Sequence, residues 1–121
     1  MRCLIVDDSA GFRSAATRLL GGGGVEVVGA AADGEQAVRM CDELRPDVVL
    51  LDVMLGAESG FDVAEQLHRS GHRPLVILTS TYSEQDLVEV IAASPALGFV
   101  SKNALSVDVL RELTATALPN R

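Results

Sequence analysis

Short unbroken apolar runs alternate along the chain with stretches in which apolar residues recur every three or four positions. Cys3-Leu4-Ile5-Val6 is the first run and predicts a strand. Phe12, Ala15, Ala16, Leu19 and Leu20 follow at i, i+3, i+4, i+7 and i+8, one face of a helix. Gly21-Gly22-Gly23-Gly24 is expected to stop that helix, because glycine gains nothing from helical geometry. Val25 to Ala30 reads as a second strand, and Asp33-Gly34 as a turn. Ala37, Met40, Cys41 and Leu44 line a second helix that Pro46 ends. Val48-Val49-Leu50-Leu51 then runs into Asp52, a third strand buried on both faces and closed by an acid. A third helix is expected over about 61 to 70, and Leu75 to Ser80 is a fourth strand. Ser83-Glu84-Gln85-Asp86 has capping-box spacing ahead of Leu87, Val90 and Ile91, the face of a fourth helix. After Pro95, Gly98 to Lys102 forms a fifth strand. Val109, Leu110, Leu113 and Ala117 define a last helix, and Pro119-Asn120-Arg121 ends the chain.

Five strands alternating with five helices mean parallel pairing, right-handed crossovers and helices on both faces. The expected fold is a three-layer, doubly wound α/β domain, (βα)5. No internal repeat appears, and there is no room for a second domain. In such open sheets ligands bind outside the carboxyl ends of the strands, at the switch point of the strand order. The first strand ends in Asp7-Asp8, the third in Asp52, the fourth in Thr79-Ser80 and the fifth in Lys102, while the second offers only alanines. With strand order 2-1-3-4-5, the first and third strands are neighbours and three carboxylates converge.

Three like charges do not share a crevice without a proton or a cation. An all-oxygen ligand set open to water suits Mg2+, and Lys102 adds a positive charge opposite. Each group also has an ordinary reading. Asp8 or Ser9 caps the first helix, Asp52 opens a loop, Thr79 satisfies a carbonyl, and Lys102 is a solvated charge. Together these readings require four coincidences at one sheet edge.

Charge and composition narrow the partners. The 121 residues are 48% hydrophobic and carry a net charge of −7, with the basic residues scattered. This disfavours direct binding of nucleic acid, whose phosphates attract Lys and Arg. No apolar run reaches membrane-spanning length, and acid follows the first apolar run too soon for a signal peptide. No membrane association and a cytoplasmic location are expected. Cys3 and Cys41 read as small buried hydrophobes in a reducing compartment. His68 and His72 read as surface residues.

These residues carry a resemblance that spans essentially the whole chain. Asp7-Asp8 with Arg13, Asp52 followed by Gly60, then Thr79, Phe99 and Lys102 resemble the site of the response-regulator receiver domains of bacterial two-component systems. The pattern is most similar to receivers of LuxR-type helix-turn-helix regulators. The resemblance implies a flavodoxin-like fold over residues 1–121, with any output domain beyond residue 121. It implies that Asp52 accepts a phosphoryl group from a sensor histidine kinase. Mg2+ is then held by Asp8, Asp52 and the backbone carbonyl of Met54, with Asp7 acting through a bound water and Lys102 contacting a phosphoryl oxygen. Thr79 and Phe99 are implied as the switch that alters the output surface. The resemblance thus implies a phosphoprotein of signal transduction rather than an enzyme, with autodephosphorylation left open. A C-terminal DNA-binding output domain controlling transcription and a homodimer formed on phosphorylation are the further implied partners. A stand-alone receiver, or one acting by protein contact without phosphorylation, is the alternative.

Several positions depart from the family's pattern. Asn103 follows Lys102 where proline is usual, so a trans bond or a remodelled loop is expected there. Gly56 replaces proline and Ser59 a common acid, so the loop after Asp52 is expected to be more mobile. Ser80 replaces a small apolar residue, and Pro95-Ala96 stands where Gly-Ala is frequent. A flavin-binding module is disfavoured, because Asp7-Asp8 would repel phosphate. An aspartate-nucleophile phosphatase would call for Asp where Met54 stands. No Gly-Lys-Ser/Thr follows the glycine run, which removes a nucleotide-binding loop.

Overall fold

The alternation of side chains along the strands decides where each helix lies. β1 (Arg2–Val6) turns Leu4 and Val6 to one face and Cys3 and Ile5 to the other. The next three elements are α1 (Ala10–Gly22), β2 (Glu26–Ala31) and α2 (Gly34–Leu44). β3 (Val48–Asp52) repeats the alternation, with Val49 and Leu51 opposed to Val48 and Leu50. Then come β4 (Met54–Leu55), β5 (Glu58–Ser59), α3 (Gly60–Arg69), β6 (Leu75–Ser80), α4 (Val88–Ala93), β7 (Gly98–Ser101) and α5 (Val107–Thr114). One buried cluster joins the first face to Ala37 and Cys41 of α2 and to Val63, Ala64 and Leu67 of α3. The other joins the second face to Ala16 and Leu20 of α1 and to Leu110 of α5. The chain is therefore three-layered, with a parallel sheet in the order β2-β1-β3-β6-β7. This is the expected 2-1-3-4-5 order of the five main strands. The computed structural model describes residues 1–82, 85, 87–115 and 117.

Helix starts are written in side chains. Ser9, Asp33, Ser59 and Ser106 each accept a backbone N–H from the first turn of the helix they precede. Gln36 binds on both sides of the α2 start, its side chain accepting from Ala32 N–H at 3.1 Å while its own N–H donates to Asp33 Oδ1 at 2.8 Å.

Several expectations need correction. Gly21 and Gly22 lie inside α1, and the chain turns only at Gly24, where φ is +90°. Helical bonding propagates at little cost once a helix is nucleated, and Val25 N still reaches back to Leu20 O at 3.0 Å. Ala15 and Leu19 are exposed, because only the narrower stripe of Phe12, Ala16 and Leu20 meets the sheet. Val90 is likewise exposed; α4 rests on Ile91 and the preceding Leu87. Ala117 lies in a turn beyond α5. His72 is half-buried with Nε2 2.6 Å from Pro46 O, whereas His68 is on the surface. The capping box rests on Ser83, Glu84 and Asp86, and the chain end on Pro119-Asn120-Arg121; both lie outside the described residues. Cys3 and Cys41 are buried free thiols, as read. No helix among the described residues is long and apolar enough to cross a membrane.

Candidate functional site

The parallel register brings four strand ends to one edge. Val6 pairs with Leu51, so Asp7 leaves β1 beside Asp52, the last residue of β3. Asp52 pairs with Thr79 of β6, and Thr79 with Val100 of β7. β7 ends at Ser101, and Lys102 opens a single 3-10 turn over Lys102–Ala104. The Lys102–Asn103 bond is trans, like every described peptide bond.

Lys102 Nζ sits between two carboxylates, 2.7 Å from Asp7 Oδ2 and 3.0 Å from Asp52 Oδ2. Asp7 is fully buried, and Ser9 N–H donates to its Oδ1 at 2.9 Å. The contact of Asp7 Oδ2 with lysine is electrostatic: this buried oxygen has no hydrogen-bond donor aligned on it. Asp52 Oδ1 accepts from Met54 N–H at 3.2 Å. Asp8 is exposed, yet one of its oxygens lies within 4.8 Å of oxygens of both Asp7 and Asp52.

Burial pushes the Asp52 carboxyl above its ordinary range, and the nearby Asp7 charge adds to this, against the pull of Lys102 and the Met54 amide. Burial alone would lower the Lys102 ammonium, but its ion pairs with Asp7 and Asp52 outweigh that and hold it above its ordinary value. Three carboxylates facing one ammonium leave two negative charges in excess, the charge of one divalent cation. The donors are all oxygen, one from each of Asp7, Asp8 and Asp52 within 4.8 Å of one another, so the residues fit a hard cation such as Mg2+.

The structure thus brings together Asp7, Asp8, Asp52, Thr79 and Lys102. Thr79 is buried beside Asp52, and the Met54 side chain is exposed while its backbone lies in β4. Phe99 lies half-buried on β7, next to Leu78 across the ladder. The helix cap belongs to Ser9, which leaves Asp8 for the cluster. Arg13 reaches back from α1 to the Asp7 carbonyl at 2.6 Å, bracing the acidic pair.

Other contributors escaped the sequence. The Phe12 ring centroid lies 4.7 Å from Lys102 Nζ, a cation–π contact. The segment expected to be a mobile loop closes as the β4–β5 hairpin, with Met54 paired to Ser59. Gly60 admits the backbone of Asp52 so closely that any Cβ would collide with the Asp52 carbonyl, so glycine is required there. The aromatic at position 12 was legible only as helix periodicity, and the hairpin strands are too short to show alternation.

The model of the response regulator receiver domain family matches residues 3–114. Among curated proteins, the transcriptional regulatory protein PdtaR of Mycobacterium tuberculosis is 33% identical over 94% of this chain and 60% of its own length. The positive alginate biosynthesis regulatory protein of Pseudomonas aeruginosa is 36% identical over 100% of this chain and 49% of its own. The chain therefore spans between about half and three-fifths of these relatives. Among solved structures, the signal receiver domain of NarL from Mycobacterium tuberculosis superimposes with a TM-score of 0.82 at 30% identity, covering 96% of this chain and 94% of that one. Vibrio cholerae CheY4 shares the fold, at a TM-score of 0.82, 24% identity and coverage of 97% and 98%. With its site laid out at the carboxyl edge of the sheet, the chain belongs to the response regulator receiver domains of two-component signalling.

Proposed function

We propose that Asp52 is the phosphoryl acceptor of this receiver. The observation that carries the reading is the pairing of Asp52 Oδ2 with Lys102 Nζ at 3.0 Å, beside two further carboxylates at the switch point. An Asp52 oxygen attacks phosphorus, a P–O bond to Asp52 forms, and the donor's bond to phosphorus breaks with its electron pair leaving on the donor. With the phosphohistidine of a sensor kinase, the leaving group is imidazole. Asp8, Asp52 and the Met54 carbonyl would hold Mg2+, with Asp7 behind them, and the ion supplies positive charge where phosphoryl oxygens accumulate. Lys102 supplies a second positive charge from the opposite side. The protein's part is positioning and neutralisation, with one nucleophile of its own.

The readout runs through Thr79 and Phe99. A phosphoryl group on Asp52 brings strong acceptor oxygens next to the Thr79 hydroxyl. Thr79 moves toward it, Phe99 turns into the space released, and the surface of α4, β7 and α5 shifts in population. This surface would address an output domain; the resemblance to LuxR-type receivers implies a DNA-binding one, in keeping with the transcriptional regulatory proteins among the relatives.

Phosphorus NMR after addition of acetyl phosphate and Mg2+ tests the acceptor. The expected result is an acyl-phosphate resonance absent from Asp52→Asn, with NMR shifts changing around Thr79 and Phe99. A stable phosphoryl signal on Ser, Thr or His would overturn the assignment.

A further inference from the structure

Gly56 stands where the family's pattern has proline, and the exchange places a backbone N–H where proline has none. That amide donates to Asp8 Oδ2 at 3.0 Å, across 48 positions of sequence. At the bend of the β4–β5 hairpin Gly56 has φ of +63°, a conformation unstrained for glycine and out of reach of proline. The hairpin is fastened on its other side as well. Glu58 Oε1 accepts from Gly34 N–H at 2.9 Å, satisfying a donor in the first turn of α2 that the Asp33 cap leaves free. A Cβ at Gly34 would collide with the Glu58 carboxylate, so the pair is close-fitted.

Asp7 and Asp52 are held by burial, but Asp8 is exposed and has nothing but this bond to choose its rotamer among the described contacts. We propose that Gly56 is a positioning residue for the acidic site. Its amide fixes the Asp8 carboxylate within reach of Asp7 and Asp52, and Glu58 holds the hairpin that presents the amide. This rests on the reading of the acidic cluster as a Mg2+ site. It also reverses the expectation of a looser loop: the loss of proline adds a donor that orients a ligand, as partners behind metal ligands do.

The test is calorimetric titration of Mg2+ into wild type, Asp8→Asn, Gly56→Pro, Gly56→Asn, Glu58→Ala and Glu58→Gln, with urea midpoints of the metal-free proteins. Gly56→Pro deletes the donor and should weaken Mg2+ about tenfold. Asn tolerates positive φ and keeps the N–H, so Gly56→Asn should retain near wild-type affinity whatever it costs in stability. Glu58→Ala should weaken Mg2+, and Glu58→Gln, which still offers an oxygen to Gly34, should restore it. The Gly56 amide should stay protected from hydrogen exchange when Mg2+ is bound. Unchanged or tighter binding by Gly56→Pro, or an amide released by Mg2+, overturns the positioning role while wild type and Asp8→Asn still differ. Wild type that takes up no Mg2+ defeats the site reading and the positioning role with it.

Discussion

Asp8→Asn separates the stability of the metal-free fold from its affinity for a cation. The substitution keeps a side-chain oxygen that can accept from Gly56 N–H and deletes one of three crowded negative charges. Like charges 4.8 Å apart, the limit within which the three carboxylates lie, repel by about 0.9 kcal/mol in water and about 3.5 kcal/mol at an effective dielectric of about 20. Asp8 is exposed, so screening places it at the low end, and lost attraction to Lys102 offsets part of the relief. The metal-free variant should therefore be about 1 kcal/mol more stable than wild type, measured by urea unfolding in EDTA. Mg2+ at about 100 times its Kd should add about 2.7 kcal/mol to wild type and far less to the variant, so the order of stability reverses. A variant that is less stable without Mg2+, or that gains as much from Mg2+ as wild type, refutes the reasoning.

Lys102→Met leaves Asp7 and Asp52 facing each other and should destabilise the metal-free protein by about 3 kcal/mol. Adding Asp52→Asn should recover most of that loss in urea unfolding, and strict additivity would contradict the pairing. Gly60→Ala sets a Cβ against the Asp52 carbonyl and should cost about 3 kcal/mol; a wild-type urea midpoint would contradict the contact. Burial raises Cys3 to about 12, and burial with help from Asp42 raises Cys41 to about 11. The unfolded thiols ionise near about 8.5, so the thiols' contribution is complete below that pH and is lost as pH rises toward the folded values. Between neutral pH and about pH 10, wild type should lose more stability than the Cys3→Ala, Cys41→Ala double variant; equal losses would show that the thiols are not protected.

What could be read from the sequence was whatever repeats locally. The run Leu75 to Ser80 is a strand with those ends, and the acid at Asp52 closes β3 where expected, because four apolar residues and a charged one form a self-contained signal. Parallel pairing followed from the alternation of element types and the crossover rule, whereas the strand order came with the resemblance to receiver domains. What could not be read depends on partners far along the chain. Phe12 under Lys102, His72 against Pro46 and Gly56 on Asp8 have no periodic signature, since each is set by how distant segments dock. The β4–β5 hairpin is two residues on each side, too short for a period to show. Leu19 shows the opposite failure: its spacing fits the buried face of α1, but the sheet covers only part of that face.

Intact mass after incubation with acetyl phosphate is the most direct measure of phosphoryl acceptance at Asp52, with Mg2+ present or chelated, in wild type and Asp52→Asn. The prediction is one phosphoryl adduct on wild type that requires Mg2+, and none on Asp52→Asn. An adduct of equal yield on both proteins, or no adduct on a folded wild type that binds Mg2+ and is also offered a phosphorylated sensor kinase, would contradict it.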